Sequence, residues 1–410
     1  MASNSGIAAN AGGNAAAIEM DFIEKGLAET IDPARLDATP GFREISGNIV
    51  FPGFTAPKLA WVKKNEPEIF AAVAKVLLPK DYLRLWLTGG HISEMSDSAG
   101  TAWLDVAKRA WSAELLAATD LDEAHMPRLV EGTEPGGSLR AELAARWGIS
   151  GPVIVAGGAG DNAAAACGMG TVAPGRAFVS LGTSGVLFAA NERYLPNPES
   201  AVHTFCHALP GTWHQMGVIL SATDSLNWLS RVTGQNQAAL SGAAEAQFTG
   251  PGEEIFLPYL SGERTPHNNA AARGSFVGLS HLSEPAKLAQ AVMEGVSFAF
   301  RDCQRVLTDA GTSIDRLLAV GGGSKSALWL KMLATNLDME IALPEDGDFG
   351  GALGAARLGL CAAEGADPAS VMTMPPIKSV IVPDTTLSAA YADQYARYRA
   401  LYPAIEEALS

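Results

Sequence analysis

Residues Arg176 to Ala190 read RAFVSLGTSGVLFAA, two apolar runs of strand length parted by Gly182-Thr183-Ser184-Gly185. That pattern predicts a β-hairpin with a tight, small-residue turn. Upstream, Pro152 to Ala156 (PVIVA) has the length and apolar character of a short buried strand. Gly157, Gly158, Ala159 and Gly160 then form a turn, and an Ala-rich segment runs from Asp161 and Asn162 to Cys167. Downstream, Leu317 to Val320 reads as a strand, Gly321 to Gly323 as a turn, and Ser324 to Leu337 as a helix. Strands and helices that alternate in this order define an α/β fold. No short-period repeat interrupts it.

A chain of 410 residues with 48% apolar content exceeds one ordinary core, so two domains are expected. The change of character places their boundary near Ser150. Met1 to Ala17 is uncharged Ala, Asn, Gly and Ser and reads as a low-complexity tail. Residues 18–150 read as mostly helical: an amphipathic stretch from Ile18 to Leu36, a turn-rich segment from Gly47 to Pro57, and helices over Lys58–Lys75 and Asp81–Thr88 with Pro79 between them. Residues 151–410 form the second domain. The net charge of −15 argues against nucleic acid as a partner. It does not bar ATP, because backbone N–H groups and a metal can hold phosphates locally. No apolar run reaches membrane-spanning length. The four scattered cysteines fit a reducing, cytoplasmic setting.

Three small-residue turns could carry chemistry. In GGAGDNAA, Asp161 follows a strand at a helix start, where α/β ligand clefts form, and could take a proton from a substrate hydroxyl. An ordinary helix cap is the plainer reading of that segment alone. The Gly182-Thr183-Ser184 turn offers N–H groups and hydroxyls suited to phosphate oxygens, although a simple hairpin turn would look the same. In AVGGGSKS, three glycines between strand and helix allow a ligand to approach the backbone closely. The spacing fits neither a dinucleotide-binding fingerprint nor a P-loop. FGGALGAARLG, Phe349 to Gly359, reads as a close-packing helix. His203, Cys206 and His207 stand together in VHTFCH, but strand alternation would point His203 and Cys206 to opposite faces, so no metal ligand is assigned. The loop SGERTPHNN could hold a substrate through Glu263, Arg264 and His267, or merely knit itself together.

The order of these turns, carboxylate, then phosphate-type hairpin, then Gly-rich turn, resembles the second half of actin-like (ribonuclease H-like) two-domain ATPases. The chain from about Glu44 onward is similar to the FGGY family of carbohydrate kinases. GFTAPKLAWVKKN carries one family signature at Gly53, Thr55, Lys58, Trp61 and Asn65, and GSFVGL with LAQAVME carries the other. Lys287 departs from the second, at a position usually acidic, amide or His. VLLPKDYLRLWLTG, MSDSAGTAWLDVAKRAW, AVHTFCHALPGTWH and LPYLSGERTPHNN resemble the branch that phosphorylates D-xylulose. The resemblance implies Asp161 as catalytic base and Asn162 as its neighbour in the sugar site. It implies that Gly182, Thr183 and Ser184 bind ATP phosphates, and that Gly321, Gly322, Gly323 and Ser326 bind adenosine. It further implies ATP and Mg²⁺ as cofactors, a small sugar as partner, no nucleic acid or membrane, and a homodimer as an open alternative.

One departure concerns the start. The family's Asp-x-Gly-Thr-Ser phosphate loop, its Met-His pair and its Trp-Asn-Asp-x-Arg segment have no counterpart in this sequence. The first domain is therefore expected to be incomplete and the 410-residue chain catalytically poor. Alternatives that stay open are an impaired protein that binds nucleotide or sugar, a kinase for another ketose or polyol, and a nucleotide-gated interaction protein.

Overall fold

The computed structural model describes residues 32–345 and 350–409. The Met1–Ala17 tail, most of the amphipathic Ile18–Leu36 stretch, and Phe349 lie outside the described residues.

The first part of the chain is less helical than its sequence suggests. Helix α1 (Thr55–Asn65) does not continue to Lys75; a separate five-residue helix follows from Pro67 to Ala71. Pro67 is the cause. It lacks an N–H, and its ring forces Glu66 out of helical geometry, to φ −136° and ψ 57°. Pro79, by contrast, is the first residue of α2 (Pro79–Thr88) rather than a gap between helices, a place where its missing N–H costs nothing. Five short strands also appear: β1 (Ile92–Glu94), β2 (Leu104–Asp105), β3 (Ala110–Trp111), β4 (Arg128–Val130) and β5 (Pro135–Ser138). Each spans two to four residues, too few for an alternating pattern to show in sequence. Helix α3 (Met95–Ala99) follows β1 directly, and β6 (Ile154–Ala156) pairs with β5. Phe42, Phe54, Trp103 and Leu116 form the core of this part.

Beyond it lies a seven-stranded sheet in the order β15-β14-β13-β7-β8-β10-β9. Its strands are β7 (Gly175–Leu181), β8 (Gly185–Asn191), β9 (His203–Cys206), β10 (Trp213–Ile219), β13 (Ile314–Val320), β14 (Ile341–Pro344) and β15 (Ile377–Ile381). β11 (Ile255–Leu257) and β12 (Ser275–Val277) pair separately. The expected hairpin is present. β7 and β8 run antiparallel with Leu181 opposite Gly185, which leaves Gly182–Ser184 as the turn. β13 runs parallel to both β7 and β14.

Period-two alternation then sorts the side chains into two cores. Ala177, Val179 and Leu181 of β7, Leu187 and Ala189 of β8, and Leu317 and Ala319 of β13 enter one core. Phe178, Phe188 and Leu318 enter the other. Helices cover both faces: α4 (Asp161–Met169), α5 (Thr223–Thr233), α6 (Gln237–Gln247), α7 (Pro285–Asp309), α8 (Ala327–Leu337), α9 (Gly351–Glu364) and α10 (Ser388–Leu409). Hydrogen bonds tie the first part to the sheet. Asn48 exchanges a pair with the Thr204 backbone at 2.9 and 3.0 Å, and Arg109 donates to the Thr212 carbonyl at 2.7 Å.

β10 places His214 against Phe188, ring centroids 4.5 Å apart, with neither ring nitrogen in a hydrogen bond of ordinary geometry. Burial, and then the nearby His207, His203 and Arg109, hold this imidazole well below its usual range. The folded state therefore binds fewer protons here than the unfolded state once the pH drops below about 6.5, so stability falls with pH. Replacing His214 with Phe removes that dependence. The difference in unfolding free energy between pH 7.5 and pH 5 is expected to shrink by about 2 kcal/mol in urea titrations. An unchanged difference would show that His214 takes up its proton in the folded protein.

Candidate active site

Asp161 is the first residue of α4, and the cap position before it belongs to Gly160, which offers no side chain. Asp161 is thus not the ordinary helix cap. Its Oδ1 accepts from the Asn162 N–H at 2.7 Å and from the Asn162 amide at 3.0 Å. Among the described residues no donor reaches Oδ2. The carboxylate is open to solvent yet recessed among protein atoms. Desolvation foremost, and then the charge of Asp97, raise its proton affinity above the ordinary range. A carboxylate fixed by one oxygen, free at the other and made more basic is equipped to accept a proton.

The Gly182–Ser184 turn is held by its carbonyls. Thr223 donates to Gly182 O through its N–H at 2.9 Å and its hydroxyl at 2.7 Å, and Ala222 N–H donates to Thr183 O at 2.8 Å. The N–H groups of Gly182, Thr183 and Ser184 donate to none of the described residues, so they stay available to an anion.

The Gly321–Gly323 turn lies directly against this hairpin. Gly321 adopts φ +91°, and a Cβ there would lie 2.7 Å from Leu181 O. Only glycine meets both conditions. Gly323 is buried against Leu181 and Thr223, while Gly322 has open space before it. Ser326 closes the turn: its hydroxyl caps α8 by accepting from Trp329 N–H at 3.3 Å and shares a 3.0 Å bond with Ser241. The helix expected from Ser324 accordingly begins as a short 3₁₀ turn and becomes α-helical only after this cap.

Chain direction brings the three elements to one edge of the sheet. β7 and β13 are parallel with Ser180 opposite Val320, so both turns sit at the same strand ends. Ala166 and Met169 of α4 pack on Phe178 and Phe188, and only residues 170–174 connect α4 to β7. The start of α4, with Asp161, consequently lies toward the end of β7. The start of α9 joins them, with the Cβ position of Gly351 3.7 Å from Asp161 O. Such an edge is where open α/β sheets bind ligands.

The remaining candidates are held by contacts of their own. His203 packs among Phe51, Phe54 and Phe205, whereas Cys206 joins a separate cluster with Met95 and Leu104. His207 is buried, its ring nitrogen 3.3 Å from Thr171 O, and desolvation lowers it to about 4. The SGERTPHNN loop is knitted to its surroundings. Glu263 Oε1 accepts from Leu220 N–H at 3.0 Å, Thr265 exchanges two 3.0 Å bonds with Val218, and His267 stacks on Tyr402 at 3.8 Å. Burial pushes Glu263 up to about 8.

Lys80, Arg84, Ser96 and Asp97, to which the sequence alone assigns no role, surround the Asp161 turn. Gly160 N–H donates to Ser96 Oγ at 2.9 Å, and Arg84 donates to Gly157 O. Lys80 and Arg84 lie in VLLPKDYLRLWLTG, and Ser96 and Asp97 in MSDSAGTAWLDVAKRAW, segments that carry the family resemblance without pointing to a role at the site.

The pattern of the FGGY family of carbohydrate kinases matches this chain twice, its N-terminal domain over residues 32–168 and its C-terminal domain over 177–363. A xylulose kinase of Escherichia coli (strain K12) is 49% identical over 366 residues, 88% of this chain and 75% of the relative. Among solved structures, a xyloylose kinase from Brucella ovis superposes with a TM-score of 0.91 at 63% identity, covering 93% of this chain and 79% of the other. The xylulose kinase from Rhodospirillum rubrum gives 0.83 at 27% identity, covering 94% and 78%.

Proposed function

This chain belongs to the FGGY family of carbohydrate kinases, and on that footing we propose that it transfers the γ-phosphoryl group of ATP to D-xylulose, giving D-xylulose 5-phosphate. The observation that carries the reading is the Asp161 carboxylate, bound through Oδ1 to Asn162 and open at Oδ2.

Phosphoryl transfer asks a protein for in-line placement and charge neutralisation more than for covalent chemistry. Asp161 Oδ2 takes the proton of the sugar hydroxyl as that oxygen bonds to the γ-phosphorus. The bridging P–O bond to the β-phosphate breaks, and ADP leaves with the electron pair. The open N–H groups of Gly182, Thr183 and Ser184 receive phosphate oxygens. The exposed face of Gly321 and Gly322, backed by Gly323, takes the adenosine side. Ser326, whose hydroxyl caps α8, stands at the end of that turn and completes the adenosine side. Mg²⁺ enters as part of the donor, MgATP; among the described residues no group of three His, Cys, Asp or Glu is placed to hold an ion, so no step is assigned to one. In functional terms we draw the division near Ser150, sugar side before it and nucleotide side after, although the family's N-terminal pattern extends to residue 168. Among the described residues no helix is long and apolar enough to cross a membrane. ATP as donor fits a cytoplasmic enzyme.

The test is ADP release by the 410-residue chain with D-xylulose, D-ribulose, xylitol and glycerol, with calorimetry of the same sugars. D-xylulose is expected to give the highest kcat/KM and the tightest binding. ATP hydrolysis that ignores sugar, or a tenfold preference for another acceptor, would overturn the assignment.

A further inference from the structure

Helix α2 and the β1–α3 corner hold the Asp161 turn from both ends. Arg84 donates to Gly157 O at its start and to Asp81 at 2.8 Å. At its end, Gly160 N–H donates to Ser96 Oγ at 2.9 Å, and Ser96 Oγ in turn donates to Glu94 at 2.8 Å. Lys80 Nζ stands at the centre, 2.9 Å from Asp81, 3.3 Å from Glu94 and 3.3 Å from Asp97. Three carboxylates thus face two cations, Lys80 and Arg84, which leaves one negative charge in excess. The side chains of Asp81 and Glu94 are fully buried, whereas that of Asp97 is 34% exposed. Of the three carboxylates, Asp97 is the one that water can reach. Asp97 Oδ1 lies 3.5 Å from the Cβ position of Gly160, the residue just before Asp161.

We propose that Asp97, tethered by Lys80, is a positioning residue for phosphoryl transfer, its carboxylate set against the Gly160–Asp161 turn from which Asp161 acts. The inference rests on Asp161 as the base. Asp97 is the charged group that bears on Asp161, after desolvation, in raising its proton affinity. Asp97 is itself raised, by desolvation first, with Lys80 opposing and Glu94 and Asp81 reinforcing. From the start of α9, Gly350, Gly351, Ala352 and Leu353 contribute no charge. Removing the Asp97 charge must lower the proton affinity of Asp161.

The test compares Asp97→Asn, Asp97→Glu and Asp161→Asn with the parent chain. Two readouts are taken from pH 4.5 to 8: kcat and KM with D-xylulose, and the ¹³C carboxyl resonance of Asp161, identified by its loss in Asp161→Asn. In Asp97→Asn the acid limb of kcat and the Asp161 titration are both expected to move to lower pH, with KM changing less than threefold. Asp97→Glu, which keeps the charge, should leave both near their original place. An Asp161 titration that does not move in Asp97→Asn overturns the inference, and so does a tenfold rise in KM with the limb unmoved, which would make Asp97 a sugar contact. Full turnover in Asp161→Asn would instead remove the base assignment itself.

Discussion

Asp161→Asn is expected to lower kcat for D-xylulose phosphorylation by about 10²–10⁴-fold, the range a positioned general base supplies. Asparagine keeps the shape of the side chain, and its Oδ1 can still accept from the Asn162 N–H that now bonds at 2.7 Å. What it loses is the oxygen that no described residue occupies, because an amide NH₂ in place of Oδ2 cannot take a proton. The fold should not suffer. The residue is exposed, and the lost attraction between a carboxylate and the start of α4 is worth only about 0.3–1 kcal/mol. Relief of the repulsion from Asp97 offsets part of that. Calorimetric binding of D-xylulose should stay within a few-fold, so the loss appears in kcat and not in affinity. A variant within threefold of the parent in kcat would reduce Asp161 to a structural residue at a helix start.

The features of this site that local sequence could reveal are those made by backbone shape. The Gly182–Ser184 turn was legible because apolar runs of strand length stop on both sides of it, and the Gly321–Gly323 turn because three glycines have no reason to follow a strand unless the chain must pass close to something. That something is Leu181 O. The family itself was legible from long ordered runs such as LPYLSGERTPHNN. Contacts formed across the fold were not. Ser96 and Gly160 are 64 residues apart and meet in one hydrogen bond, and Lys80 reaches Asp97 only because α2, β1 and α3 pack around it. Ser326 precedes an apolar helix, a visible cap signal that its hydroxyl fulfils. The break after Asn65 was visible as well: Glu66-Pro67 disfavours a continuous helix over Lys58–Lys75.

Gly354→Ala is expected to produce the largest combined loss, of stability and of activity, from a residue with no chemistry of its own. Gly354 lies in α9 where that helix crosses α4. A Cβ there would sit 1.7 Å from Ala164 O, 2.6 Å from Ala164 C and 2.9 Å from Gly168 N. All three are backbone atoms, so no rotamer change relieves the clash and the helices must part by more than 1 Å. Parting them loosens the layer of Ala163, Cys167, Leu358 and Cys361 between them. The better helix propensity of alanine returns only about 1 kcal/mol, so a net loss of about 2–4 kcal/mol is expected in urea titrations. The same movement displaces Asp161, because α4 begins with it and the start of α9 lies close to its carbonyl. A base misplaced by about 1 Å can cost about 10²-fold in rate, so kcat should fall even under conditions where the variant remains folded. Gly359 in the same helix supplies the control, since a Cβ there meets nothing within 4 Å. Gly359→Ala should stabilise by about 0.5–1 kcal/mol and leave kcat unchanged. If the two substitutions behave alike, the placement of Asp161 does not depend on how closely α4 and α9 pack.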